Sequence, residues 1–151
     1  MRYYNASIRN LVYRLRRFDA VLENCLEDTV RSLEATIVDY IAQKQLYEKG
    51  IEGRGIEIMS YAPYSMRTIK NKRRKGQPTN RVTLRDTGAF HHSFRVAFEE
   101  GGFRIEATDP KTAALIEKYG PTIFRLTNAN LTELLRKYIR PILTERLKEQ
   151  L

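Results

Sequence analysis

The sequence contains one cysteine, two histidines and no long apolar run, and each shortage excludes a class of protein. A single thiol, Cys25, cannot form an internal disulfide framework or a zinc site built from cysteines. Its apolar position in a helical pattern predicts packing in the core. No stretch approaches the roughly 18 apolar residues of a membrane-spanning helix, and the N-terminus alternates arginine with apolar residues instead of forming a signal-peptide core. We therefore expect a protein that makes no membrane contact and stays in the cytoplasm where it is made.

Patterns that bind metals or phosphate are also scarce. His91 and His92 are adjacent, so their side chains point in different directions and favour solvent or subunit-interface positions over a shared metal ion. The glycines of Gly53-Arg54-Gly55 lack the Gly-Lys-Ser/Thr ending and the preceding apolar strand of a phosphate loop. We expect no metal and no cofactor.

Acidic residues give only weak indications of catalysis. Asp86-Thr87-Gly88 matches an aspartic-protease loop, but that chemistry needs two carboxylates that share a proton, so one copy favours a structural turn. A nuclease would need clustered carboxylates to hold magnesium. The acids around the predicted sheet form no clear pattern of this kind: Asp86, Glu99, Glu106 and Asp109. The expectation is a protein that is not an enzyme, and a small metal-dependent nuclease stays as the second alternative.

Positive charge is concentrated in two blocks of the 151-residue chain, whose net charge is +9. Residues 1–18 contain five arginines and no acid, whereas residues 19–60 contain nine acids and four bases. Residues 61–95 then contain nine bases and one acid. Such blocks can meet nucleic acid phosphates, an acidic partner protein or an acidic patch on another copy.

The densest basic segment places six positive charges in the nine residues from Arg67 to Lys75. Because such density cannot be buried, and because a polar Gly76–Asn80 linker follows, the sequence predicts a mobile basic loop at about residues 67–80. We expect this loop to contact a partner or DNA. The predicted contact residues are Arg67, Lys70, Lys72, Arg73, Arg74, Lys75 and Arg81.

A structural turn is predicted to fix the far end of this loop. Residues 81–84 look strand-like, and Asp86, Thr87 and Gly88 follow as a turn in which Gly88 takes a positive φ and Asp86 caps the next segment.

The N-terminal third predicts a long amphipathic helix. Apolar residues recur at three- and four-residue spacing from Ile8 to Ile41, and no proline or glycine intervenes before Gly50, the predicted cap. The alternative is two helices with a break near Phe18-Asp19. At 1.5 Å per residue, roughly 40 residues would span about 60 Å, more than a small domain is wide. Part of the apolar face should therefore pack against something else.

The remainder predicts a small sheet and two further helices. A short strand is expected near residues 56–59, and alternating residues predict a hairpin of residues 94–98 with 103–107, one face of which needs a covering helix. A short helix capped by Asp109 should stop at Tyr119-Gly120-Pro121, and a last helix should start near Asn130 and kink at Pro141. The predicted fold class is α+β in a single domain spanning residues 1–151: a small, mainly antiparallel sheet packed against a long N-terminal helix, with a C-terminal helix.

Several motifs resemble those of a known family. Residues 61–65 read Tyr-Ala-Pro-Tyr-Ser, residues 67–69 Arg-Thr-Ile, and residues 83–90 Thr-Leu-Arg-Asp-Thr-Gly-Ala-Phe, with the basic segment between them. This order resembles the phage and prophage proteins grouped as head-tail connector, tail-completion or virion-morphogenesis proteins. Residues 45–50 and 120–127 look like the variant found in phages of Bacteroides-like bacteria. The resemblance covers roughly residues 40–150.

The resemblance implies a non-enzymatic structural protein that acts at the head-tail junction or in tail completion. It implies copies arranged as an oligomeric ring, other neck or tail proteins as partners, and a location in the virion after assembly in the bacterial host cytoplasm. The first alternative, taken from the basic residues beside Tyr61 and Tyr64, is a nucleic-acid-binding module that contacts DNA directly.

Overall fold

The computed structural model describes the backbone of residues 2–150 and the side chains of residues 8–150. Helix α1 spans Arg2–Ser32 and α2 spans Glu34–Val38, and a π-helix over Asp39–Lys49 completes the N-terminal helical segment. Its end at Gly50 confirms the predicted cap, because Gly50 is left-handed with φ 63° and its amide donates to the Leu46 carbonyl. The break expected as an alternative at Phe18-Asp19 is wrong: the interruption lies at Leu33.

The predicted hairpin is confirmed. Strand β1 spans Phe94–Glu99 and pairs antiparallel with β2, Gly102–Ala107. Val96 faces Ile105 and Phe98 faces Phe103 across the two strands, as the alternation predicts. Helix α2 covers β1, and the Val96 amide donates to the Glu34 carboxylate at 3.1 Å. The fold is therefore α+β, with a two-stranded sheet packed on the long N-terminal helical segment.

The strand expected near residues 56–59 is wrong. Ile58–Ser60 forms a 3-10 helix, and this segment contributes only an isolated bridge between Ile51 and Glu57. The buried Glu52 carboxylate closes the preceding turn by accepting the Arg54 and Ile56 amides at 3.0 and 3.3 Å. Burial alone would raise the pKa of Glu52, but hydrogen bonds from Thr122, Arg54 and Ile56 hold it below its usual value.

The later helices start at other residues than predicted. Helix α5 spans Thr112–Tyr119 and begins after Lys111, whose amide donates to the Asp109 carboxylate, while its end at Gly120 is as predicted. The last helical segment starts earlier than Asn130, because the Thr127 hydroxyl accepts the Asn130 amide at 3.2 Å as the N-cap. The remaining elements are α3 (Met66–Arg74), α4 (Ala89–His92), a 3-10 helix (Pro121–Phe124), α6 (Asn128–Leu134), a π-helix (Leu135–Ile139) and α7 (Arg140–Gln150).

Cys25 is buried, as its apolar helical position predicts. The second π-helix ends at Ile139, and Pro141, which has no backbone donor, is the second residue of α7. The kink expected at Pro141 stays a prediction.

The core lies where the C-terminal half of the long N-terminal segment meets the hairpin and α6. Its most buried side chains include Ile37, Ile41, Leu46, Phe94 and Leu134. Residues 8–20 of α1 extend beyond this core, and all of their side chains are exposed to solvent. The expectation that part of the long apolar face packs against something else stays a prediction, and residues 8–20 are the exposed part to which it applies. Among residues 2–150, the helices lack the combination of length and apolar content needed to cross a membrane.

Candidate functional site

The basic segment is a helix, so the predicted mobile loop at residues 67–80 is wrong for its first half. Helix α3 starts after Ser65, whose hydroxyl accepts the Thr68 amide at 3.2 Å. Its last turn carries Lys72, Arg73 and Arg74, whose charges suit the negative end of the helix dipole. The signals that would have found it are a serine N-cap and the absence of glycine and proline before Gly76.

Lys72 is buried, contrary to the expectation that this charge density stays entirely outside. Its ammonium donates to the Arg85 carbonyl at 2.7 Å and to the Gln77 side chain at 3.2 Å. It also lies 5.0 Å from the centre of the Tyr64 ring. Lys72 therefore fastens α3 to the segment that follows it, and its charge is used inside the fold.

Lys75 and Gln77 make further connections between α3 and the turn. Lys75 forms an ion pair with Asp86, and this hydrogen bond holds the pKa of Asp86 below its usual value. Gln77 donates from its side chain to the Asp86 carbonyl at 2.7 Å. Because Asp86 is engaged with Lys75, it does not cap α4; the Thr87 hydroxyl accepts the Ala89 amide instead. Gly88 has φ 91°, which confirms the predicted turn.

The segment before the turn is irregular and strained. Residues 81–84 form no strand, so that prediction is wrong, and Leu84 has φ 52°, a conformation that costs a non-glycine residue about 1–2 kcal/mol. Tyr64 holds the strained backbone by accepting the Thr83 amide at 2.9 Å. Arg81 is half-buried and donates to the Tyr47 carbonyl at 2.7 Å. Arg81 thus belongs to the support of the turn and lies apart from the exposed face of α3.

The two histidines differ in environment. His92 is exposed, as expected, whereas His91 is buried between Phe90 and Phe94, and its Nε2 has no hydrogen-bond partner. Burial lowers the pKa of His91 to about 4, against a hydrogen bond to the Thr83 backbone that raises it. No cluster of three or more His, Cys, Asp or Glu side chains in residues 2–150 has the geometry to hold a metal ion.

Four basic residues of α3 form one exposed face, which we call the basic ridge. They are Arg67, Lys70, Arg73 and Arg74. Spacing of three and four residues places them along one side of the helix, beside Met66, which is 79% exposed. Helix α3 contains no acidic residue, so nothing within it neutralises these charges. The ridge is suited to binding carboxylates or phosphates on another molecule.

Comparisons with protein-family models, curated proteins and solved structures return no match.

Proposed function

We propose that the chain is a non-enzymatic structural protein of a phage or prophage particle, acting at the head-tail junction or in tail completion as an oligomeric ring. Its partners would be other neck or tail proteins and further copies of itself, and it would move from the host cytoplasm into the virion on assembly. The observation that carries the proposal is the basic ridge, which is charged, exposed and rigidly attached to the body. The resemblance of the motifs around it supports the same function.

A rigid ridge suits docking better than a mobile loop would. The bonds of Lys72, Lys75 and Gln77 order α3 before any partner arrives, so binding does not require further ordering of this backbone. While the protein is free, its ridges repel those of other copies; an acidic surface on a partner, or phosphate in a DNA channel, would neutralise them. Assembly would then depend on the correct partner being present.

We expect the ridge to be required for completed particles. Replacing Arg67, Lys70, Arg73 and Arg74 with Gln in the encoding genome removes four exposed contacts and leaves Lys72 and the fold in place. At about 0.2–1 kcal/mol for each exposed pair, docking should weaken about fourfold or more. Electron microscopy should show heads without tails, and mass spectrometry of purified particles should show less of the chain.

A matched control separates this surface from net charge. The control variant replaces four exposed basic residues outside α3 with Gln, and so removes the same number of positive charges: Lys49, Lys118, Arg140 and Lys148. The control should assemble particles normally. If the ridge variant gives as many complete particles as the control, the proposed role of the ridge is wrong.

Direct nucleic acid binding is the second candidate, because the exposed Tyr61 precedes the ridge in the chain by six residues and could supply an aromatic ring beside its basic side chains. For a short DNA duplex, the logarithm of the affinity should fall with the logarithm of salt concentration by about 0.9 for each phosphate contacted. The affinity of the ridge variant for DNA should depend much less on salt, whereas the control variant should show the same salt dependence as the wild type. Tight, salt-sensitive binding by a protein that particles do not need would favour this function over assembly.

A further inference from the structure

The exposed start of α1 presents a regular apolar stripe, and we call residues 8–18 the arm. Its apolar side chains Ile8, Leu11, Leu15 and Phe18 alternate three- and four-residue spacing, as along the contact seam of paired helices. They are 56%, 55%, 55% and 40% exposed in the chain by itself. Such a contiguous apolar surface on a protein otherwise rich in charge marks an interaction site.

The body of the molecule carries an open groove. It has a volume of about 800 Å³ and is walled by the C-terminal half of α1, by β2 and by the C-terminal helical segment. Leu26 and Val30 line one wall and Leu131, Leu135 and Ile139 another. Leu135 is 45% exposed there, and β2 pairs only with β1, so its other edge is free of strand partners among residues 2–150. The groove is therefore open and largely apolar.

The arm of a chain cannot occupy the groove of the same chain. Helix α1 continues without interruption from the arm to Leu26 and Val30, which line the groove. At 1.5 Å per residue, Phe18 lies about 12 Å and Ile8 about 27 Å along the axis from Leu26. Since a continuous helix does not fold back on itself, an arm in the groove must come from another molecule.

Charge favours another copy of this chain as that molecule. The arm carries four arginines and no acid. Residues 19–28, which lead into the groove wall, carry four acids and no base. The charged side chains that line the groove itself are Glu99, which pairs with Arg104, and Arg125, so the acidic surface that matches the arm is that of residues 19–28. Two arms paired with each other would instead place Arg14, Arg16 and Arg17 against their own copies, which like charges disfavour.

We propose that the arm of one copy docks into the groove of a second copy, with the stripe facing Leu26, Leu131 and Leu135 and the arginines facing the acidic residues 19–28 of α1 that lead into the groove wall. This inference deepens the proposed assembly function and rests on it for its biological setting. The two surfaces are different patches, so the contact is heterologous. A row of copies joined in this way has a free arm at one end and a free groove at the other. The row closes into a ring when these two ends meet, and otherwise it extends as a filament.

Crosslinking between two single-cysteine variants tests this arrangement directly. In a Cys25→Ala background, Leu11→Cys marks the arm and Leu135→Cys marks the groove; both positions are exposed, so the fold should tolerate them, and circular dichroism checks that it does. One variant is labelled with ¹⁵N and the two are mixed with a short bismaleimide reagent. Mass spectrometry should find mainly mixed dimers that join residue 11 to residue 135.

Two controls decide what a negative or different result means. Lys118→Cys, exposed on α5, replaces the groove cysteine and should give at least about tenfold fewer mixed dimers. Dimers formed mainly by Leu11→Cys with itself would overturn the proposal in favour of arm-to-arm pairing. Mixed dimers no more frequent than with Lys118→Cys would overturn it altogether.

Light scattering of the full-length wild type provides a second measurement. Its mass should rise with concentration, and Leu15→Asp, which places a charge in the stripe, should shift this rise to at least about tenfold higher concentration. A wild type that stays monomeric while the particle still requires it would refute the docking but leave the assembly function standing. Arm-to-groove crosslinks, together with normal particles from the ridge variant, would refute the role of the ridge in assembly and leave the docking standing.

Discussion

At the scale of single residues, His91 shows how burial makes an ordinary side chain a source of pH-dependent stability. The unfolded chain protonates this imidazole near its usual pKa of 6.5, whereas the folded protein does not until about pH 4. Between these values the unfolded state binds more protons, so stability falls as the pH falls. The neighbouring side chain of His92 is exposed and provides a natural comparison.

We predict that His91 accounts for about 2 kcal/mol of the stability lost between about pH 7.5 and about pH 5, which is the part of its pKa shift that lies in this window. Urea unfolding at the two pH values measures the loss. His91→Phe should reduce it, because the new side chain does not titrate, and His92→Gln should leave it unchanged. Equal losses in the wild type and in His91→Phe would show that other groups cause the pH dependence.

At the scale of elements, α3 depends on contacts with the segment that follows it. A nine-residue helix with five positive charges is too short to be stable alone. Its buried lysine reaches 13 residues along the chain to the Arg85 carbonyl, next to the strained Leu84. The orientation of the basic ridge therefore depends on Lys72 as well as on the ridge residues themselves.

Lys72→Met should lower the free energy of unfolding by about 1–3 kcal/mol. The variant keeps the apolar stem but leaves the Arg85 carbonyl and the Gln77 side chain without their donor. Arg73→Gln, on the exposed face of the same helix, should change stability by less than about 0.5 kcal/mol. Urea unfolding compares the two, and amide hydrogen exchange should show weaker protection of α3 in Lys72→Met alone. Similar stabilities for both variants would mean that Lys72 does not fasten the helix.

At the scale of the whole molecule, a buried glutamine joins the N-terminal and C-terminal helical segments. Gln45 is fully buried; its side chain donates to the Arg125 carbonyl at 2.8 Å and accepts the Thr127 amide at 3.0 Å. It also accepts from the Asn130 side chain at 3.2 Å. These bonds fix the start of α6 against the first π-helix, so they set where the wall of the groove formed by the C-terminal segment lies.

Gln45→Met should lower the thermal midpoint by several degrees. Each buried group left without a partner costs about 1–3 kcal/mol, and 1 kcal/mol corresponds to about 2–4 °C for a domain of this size. Gln43→Met, on the same helix but bonded only to the exposed Glu48, is the matched control and should change the midpoint little. A midpoint for Gln45→Met as high as that of the control would show that the network contributes nothing to stability.

Features that depend on near neighbours were predictable from the sequence. The alternation of strands β1 and β2 determined which side chains share a face, because a strand repeats every two residues. Gly50 and Gly88 marked the end of a helix and a turn, because their positive φ angles favour glycine. The uncovered arm was also implied by sequence, since a helix of that length exceeds the width of a small domain.

Only the tertiary structure decided the features that depend on distant partners. The break at Leu33 and the burial of Lys72 have no local pattern that specifies them, and the contact that holds Thr127 in place comes from a distant residue. Lys72 can be buried because the Arg85 carbonyl and the Gln77 side-chain oxygen accept hydrogen bonds from its ammonium. The backbone amide of the Thr127 cap donates to Gln45, which lies 82 residues earlier. A periodic pattern records which face of an element is apolar, but not which residue of another element will satisfy a buried charge. The basic segment and the signals of its helix were thus visible in the sequence, whereas its attachment to the body and its division into exposed and buried charges were determined by packing.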